Sequence, residues 1–172
     1  MSFVVAIDGP AGTGKGTITK LVAEELNLIN IDTGAMYRCV ALDALRNNIN
    51  ENETQKLEEL LNEIDIKLER EDGNIKVFLN GEDVTKFLRE EEVSKLASKV
   101  SAFPLAREKY LQIVGNFSNS YDCVIDGRDI TSIVLPDADV KIFLTASADE
   151  FSVVTGLDIG ADDYIEKPYR PR

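Results

Sequence analysis

The chain opens on a short continuous apolar run, Phe3-Val4-Val5-Ala6-Ile7, rich in β-branched residues and closed by Asp8-Gly9-Pro10. A run of this kind, bounded by turn residues, predicts a buried strand that ends in a turn. From Lys15 to Asn27 the spacing becomes helical: Ile18, Leu21, Val22 and Leu26 fall on one face, Glu24 and Glu25 on the other. Strand, glycine-rich loop and helix are the opening of an α/β fold. A second strand is predicted at Leu28 to Ile31. A second helix is predicted from Ala35 to Asn47, with Thr33 as its N-cap.

An acidic helix from Glu53 to Glu63 follows, and the pattern then changes to strict alternation. Ile64, Ile66 and Leu68, then Ile75, Val77 and Leu79, stand on either side of Asp72-Gly73-Asn74, which predicts two half-exposed antiparallel strands. Asn80-Gly81 supplies the dipeptide that accepts the positive φ angles of a two-residue hairpin turn, and Glu82 to Val84 forms a third short strand. A small antiparallel insert, about residues 64–90, thus interrupts the α/β domain. Val93, Leu96, Ala97 and Val100 mark a further helix, and Pro104 stands in the first turn of the next, which runs to Phe117. Cys123-Val124-Ile125 and Val140-Lys141-Ile142-Phe143-Leu144 are again short buried strands with polar ends. In open α/β sheets those carboxyl ends are where ligands bind.

Composition narrows the chemistry. The 172 residues suffice for one domain with a small insert, and 44% hydrophobic against 29% charged residues describes a folded globular chain. A formal net charge of −12 argues against any general affinity for nucleic acid or an anionic membrane, so a phosphate site has to be local. The absence of His removes His-based triads, His-liganded metals and imidazole acid–base chemistry, and two Cys cannot build a structural zinc site. Cys39 and Cys123, in apolar surroundings, read as reduced buried thiols. No apolar run approaches the roughly 18 to 20 residues that span a bilayer. A monomeric cytoplasmic protein with no nucleic-acid or membrane partner is expected.

Gly9-Pro10-Ala11-Gly12-Thr13-Gly14-Lys15-Gly16-Thr17 has the G-x-x-x-x-G-K spacing of a phosphate-binding P-loop, with the required strand before it and helix after it. Glycines let the backbone wrap a phosphate so that successive N–H groups converge on its oxygens, and the helix N-terminus adds partial positive charge. Lys15 is then expected to reach the β and γ phosphates of a nucleotide. Gly16 stands where many such loops place a hydroxyl on Mg²⁺, so the metal is expected to be held by nucleotide and water, without dedicated protein ligands, and Thr17 to contact phosphate. The fold class implied is α/β, a P-loop NTPase-type parallel sheet flanked by helices, with the antiparallel insert.

Further motifs carry a resemblance. Ile31-Asp32-Thr33-Gly34-Ala35-Met36-Tyr37-Arg38, Asn80-Gly81-Glu82-Asp83-Val84, Ala97-Ser98-Lys99-Val100-Ser101-Ala102-Phe103-Pro104-Leu105-Ala106-Arg107 and Asp126-Gly127-Arg128-Asp129-Ile130 follow the loop in order. With it they make residues 1–148 resemble the bacterial cytidylate kinases, among the nucleoside monophosphate kinases. The resemblance implies transfer of the γ-phosphoryl group of ATP to CMP or dCMP, with Mg²⁺. It implies that Arg38 and Arg128 hold the acceptor phosphate, that Thr33 and Tyr37 line that pocket, and that Ser98, Arg107 and Asp129 read the cytosine. Lys15, Arg38 and Arg128 would be the catalytic groups. Arginine forks suit phosphate, and a carboxylate can accept from the exocyclic amine of cytosine. Taken singly, Arg38, Arg107 and Arg128 read as surface ion-pair partners and Asp126 as the cap of a turn.

Near Ala146 the chain departs from that resemblance, which implies an arginine-rich lid, a further helix and a final strand from here on. Residues 149–172, with Gly156-Leu157-Asp158-Ile159-Gly160-Ala161-Asp162-Asp163-Tyr164-Ile165-Glu166-Lys167-Pro168, resemble the end of a response-regulator receiver domain, and Leu144-Thr145-Ala146 fits both families. The chain thus resembles a chimera. No phosphoacceptor strand accompanies the tail, so Lys167 reads as a solvent-facing lysine beside a proline able to take the cis form. The tail is expected to supply a crossover helix and a parallel strand at Asp163 to Glu166 that completes the sheet. Loss of the lid implies kcat lowered by about 10²-fold or more. A nucleotide-binding scaffold without useful catalysis and a signalling module remain the alternatives.

Overall fold

The computed structural model describes residues 2–10, 12–71, 74–145, 158 and 160–166. In chain order its elements are β1 (Val4–Asp8), α1 (Lys15–Leu26), β2 (Ile29–Asp32), α2 (Gly34–Arg46), α3 (Thr54–Glu63), β3 (Ile66–Glu71), β4 (Asn74–Leu79) and β5 (Glu82–Asp83). They continue with α4 (Glu91–Val100), α5 (Pro104–Ser118), β6 (Cys123–Asp126), a π-helical turn (Ile130–Val134), β7 (Val140–Thr145) and β8 (Asp163–Glu166). The chain divides into two units, Met1–Ile31 with Ser118–Arg172, and Asp32–Phe117.

The first unit is built on a five-stranded sheet in the order β2-β6-β1-β7-β8. β1 lies at its centre, parallel to β6 with Ile7 opposite Asp126 and parallel to β7 with Asp8 opposite Phe143. All five of its residues are buried. A central parallel strand is covered on both faces, which is why its sequence is a continuous apolar run with no alternation. β8 pairs in parallel with β7 from Ile142 opposite Asp163 to Thr145 opposite Glu166, so the expected tail strand does extend the sheet. It is clipped at its start, where Asp162 N–H donates to Lys141 O at 2.8 Å and Lys141 N–H donates to Asp162 Oδ2 at 2.7 Å. Most of the expected crossover helix, the Ala146 junction, Lys167 and Pro168 lie outside the described residues, as do Ala11 and the Asp72-Gly73 turn.

Helix α1 buries a different face from the one its large apolar residues predict. Thr19 and Ala23 are buried and Ile18 and Val22 pack at the edge of the core, while Leu21 and Leu26 are 55% and 54% exposed. The small Thr19 and Ala23 are the residues that turn inward, Ala23 clustering with Val5, Ile7, Val124 and Leu144. Thr19 satisfies its own hydroxyl by donating to Lys15 O at 2.8 Å. The helix ends on Asn27, whose left-handed backbone, φ 53°, returns an N–H to Ala23 O.

The second unit has its own core. Cys39, Ala41 and Leu42 from α2, Leu57 and Leu61 from α3, and Val93, Leu96 and Val100 from α4 meet Ile66, Val77, Leu79 and Val84 of the insert. β3 and β4 pair antiparallel with Ile66 opposite Leu79 and Leu68 opposite Val77. The hairpin from β4 to β5 closes Leu79 onto Glu82, with φ 51° at Asn80 and 86° at Gly81, the geometry that the dipeptide predicts.

Candidate active site

The phosphate loop leaves β1 at Asp8. Gly9 turns it with φ 138°, and a Cβ at this residue would stand 2.1 Å from Leu144 O, so only glycine fits against the neighbouring strand. Gly12 and Gly14 also have positive φ, 80° and 85°, and Gly14 is the residue on which α1 begins. Thr13 is buried and its hydroxyl donates to Pro10 O at 2.9 Å, which closes the loop on itself. The ammonium of Lys15 folds back over the loop and donates to Gly9 O at 2.7 Å and Pro10 O at 2.8 Å. Gly16 and Thr17 are exposed on the first turn of α1, where helical amides and the positive end of the dipole meet solvent.

Lys15 sits in an electrostatic cluster. Partial burial lowers its pKa below the ordinary value, the carboxylates of Asp126 and Asp8 oppose that fall, and the charge of Arg128 adds to it. The structure therefore brings Lys15 and Arg128, which the sequence places far apart, to one end of the sheet. Asp126, read from the sequence as the cap of a turn, has a larger part as the strongest of the charges that hold Lys15 protonated. After it, Gly127 N–H donates to Ile7 O at 3.2 Å, Arg128 and Asp129 are exposed, and Asp129 takes a left-handed backbone, φ 56°, from which the π turn starts.

Two polar residues of this region were not singled out in the sequence. Asp8 is 3% exposed and Thr131 is 1% exposed. The Asp8 carboxylate accepts from Gly9 N–H at 2.7 Å, and from Thr131 N–H at 3.3 Å and Thr131 Oγ1 at 3.2 Å. A signal existed for Asp8, an acid ending an otherwise apolar strand, but none for Thr131.

The remaining candidates belong to the second unit. Thr33 stands at the N-cap of α2, as predicted, yet its backbone is already helical and its hydroxyl makes no capping bond. Asp32 takes that part instead: its Oδ1 accepts from Gly34 N–H at 2.9 Å, and its Oδ2 accepts from Arg38 Nη1 at 2.9 Å. Tyr37 stacks on Tyr110 with ring centroids 5.2 Å apart and an angle of 21° between planes. Burial raises the pKa of its phenol and the nearby charge of Arg107 opposes the rise, so Tyr37 and Arg107 are brought together across α2 and α5. Ser98 is exposed on α4, its hydroxyl donating to Ser94 O at 3.3 Å within its own helix. Among the described residues no group of three Cys, Asp or Glu is arranged to hold a metal ion.

The family described as cytidylate kinase matches residues 5–152. The chain belongs to that family. Every candidate site residue named above lies within the matched stretch. The cytidylate kinase of Caldicellulosiruptor bescii is 50% identical over 146 residues, 85% of this chain and 65% of that protein. That of Syntrophotalea carbinolica is 45% identical over 148 residues, 86% of this chain and 63% of that protein. The chain thus spans somewhat less than two thirds of the length of these relatives. The cytidylate kinase of Pelotomaculum thermopropionicum is 43% identical over 163 residues, 94% of this chain and 72% of that protein, so likeness to the cytidylate kinase family reaches into the stretch after residue 148. The receiver-like reading of that tail finds no support in these relatives.

Proposed function

We propose that the chain transfers the γ-phosphoryl group of ATP to CMP or dCMP, giving ADP and CDP or dCDP. The observation that carries this reading is the closed phosphate loop with Lys15 at its mouth, set beside Arg128 and Asp126, in a member of the cytidylate kinase family. The Lys15 ammonium bonds to Gly9 O and Pro10 O; the reading has it exchange these carbonyls for β and γ phosphate oxygens when ATP binds. Arg38, held by Asp32, and Arg128 take the phosphate of the acceptor, Thr33 and Tyr37 line its pocket, and Ser98, Arg107 and Asp129 contact the cytosine. No protein nucleophile is needed, because the acceptor phosphate attacks directly and the protein aligns two nucleotides and offsets their charge.

Gly16 offers no side-chain oxygen, the buried Asp8 carboxylate is already taken up by Gly9 and Thr131, and the oxygen-bearing side chains left about the loop are those of Asp126 and the exposed Thr17. Such a set fits Mg²⁺ that arrives on the nucleotide and keeps much of its water shell. Bound there, Mg²⁺ would offset charge on the transferring phosphoryl group. No helix among the described residues is long and apolar enough to cross a membrane, and Cys39 and Cys123 are buried thiols pushed up to about 12 by desolvation. A reduced, cytoplasmic monomer is part of the same proposal.

Calorimetric titration with CMP and with ATP·Mg²⁺, paired with an assay of CDP formation, tests the reading. Saturable binding of both with CDP formed supports it. Binding without turnover makes the chain a nucleotide-binding scaffold, and a cooperatively folded sample that binds neither overturns the assignment.

A further inference from the structure

Asp8, at the end of β1, and Thr131, in the π turn, are both more than nine-tenths buried among side chains that are almost all apolar. A carboxyl group in such surroundings needs hydrogen bonds to its oxygens. Asp8 divides its two oxygens between different structures. Oδ1 accepts from Gly9 N–H, the first amide of the phosphate loop, at 2.7 Å. Oδ2 accepts from the amide and the hydroxyl of Thr131, the second residue of the π turn.

That turn is unusual. Val134 N–H donates to Asp129 O at 3.1 Å and Leu135 N–H donates to Ile130 O at 2.8 Å, each bond spanning five residues, and it starts from Asp129 in a left-handed conformation. Wide turns of this kind are rare and depend on tertiary contacts, and a non-glycine residue at positive φ depends on them too. The Thr131–Asp8 contact is a side-chain anchor of the turn to β1, and the residues just before the turn are Arg128 and Asp129.

We propose that Asp8 and Thr131 form a positioning latch that couples the triphosphate loop to the turn presenting Arg128 and Asp129. Both side chains are buried, so the role assigned to them is positioning and not contact with the nucleotides. A triphosphate that orders Gly9 fixes the Asp8 carboxylate, and the carboxylate fixes the π turn and with it the two acceptor-facing residues. The consequence for the acceptor rests on the functional reading given above; the coupling between loop and turn does not.

Amide hydrogen exchange with and without ATP·Mg²⁺ tests the latch. In the wild-type chain ATP·Mg²⁺ slows exchange at Ile133, Val134 and Leu135 by about tenfold or more, as well as in the loop. Thr131→Val removes the hydroxyl at constant shape and confines the slowing to the loop, while Thr131→Ser restores it in the turn. The same pattern appears in steady state, with KM for CMP raised about tenfold in Thr131→Val at nearly unchanged KM for ATP, and recovered in Thr131→Ser. A contact that only stabilises the fold lowers Tm and moves neither signature. Undiminished protection of the turn in Thr131→Val overturns the latch, as does a wild-type turn insensitive to ATP·Mg²⁺, a measurement that needs no variant to fold. If the coupled protection is seen but CMP does not bind, the latch stands and the acceptor assignment of Arg128 and Asp129 fails.

Discussion

Glycines of the phosphate loop are not equivalent, and their difference is measurable. A Cβ at Gly9 meets the backbone oxygen of Leu144 at 2.1 Å on top of a φ of 138°, so Gly9→Ala has to break β1 from β7 or deform the loop. A loss above about 4 kcal/mol is expected, enough to leave little folded protein in a urea titration. At Gly16 nothing lies within 4 Å of the added methyl and the backbone is helical, so Gly16→Ala gains about 0.5 to 1 kcal/mol in the same experiment. Lys15 makes a prediction in pH. Burial lowers its pKa from 10.5, so the uncharged form appears at lower pH than in a free lysine. Loss of that proton removes the cation that binds phosphate, and kcat/KM for ATP falls with rising pH before the ordinary lysine range is reached. A profile flat up to 10.5 would contradict this.

Element by element, the strands were legible wherever a run was continuous or strictly alternating, because burial on two faces or one leaves that record. The β4–β5 hairpin is the clearest case, Asn80 and Gly81 taking the two positive φ angles their types suggest. Gly81→Val, at φ 86°, is expected to cost about 1 to 2 kcal/mol, read as a lowered Tm, although no neighbour lies within 4 Å. Two elements were illegible for physical reasons. The face of α1 is chosen by small Thr19 and Ala23, which a pattern of large apolar residues cannot reveal, and Ile130 to Val134 carries no periodicity that separates a π turn from any short apolar segment. The candidate site divided the same way. Gly9 to Thr17 could be read because the loop is local, whereas Asp8 with Thr131, Asp126 with Lys15 and Asp32 as the cap of α2 depend on strand register or on the path of a turn.

Across the whole molecule the charge is −12, while the nucleotide it is proposed to bind is itself an anion. At 0.01 M ionic strength the Debye length is about 30 Å, so an approaching ATP·Mg²⁺ feels the net repulsion. At 0.15 M it is about 8 Å, so the distant acidic surface is screened and the charges at the loop itself, Lys15 and Arg128 with Asp126 and the helix end, govern the approach. Association measured by stopped flow is therefore expected to speed up as salt rises from the lower to the higher value, opposite in sign to a protein with a basic surface. A rate that falls over this interval would mean that local cations dominate even at long range.

The strand order of the sheet also sets a schedule for synthesis. β1 is made first, yet Val4 waits for Cys123 and Val5 for Val140, so the central strand emerges long before either of its neighbours. At about 5 to 20 residues per second that interval lasts roughly ten seconds. The stretch Asp32–Phe117 is continuous and carries a core of its own, so it can collapse during the wait. The oldest strand of the sheet is then threaded between two that are made long after it.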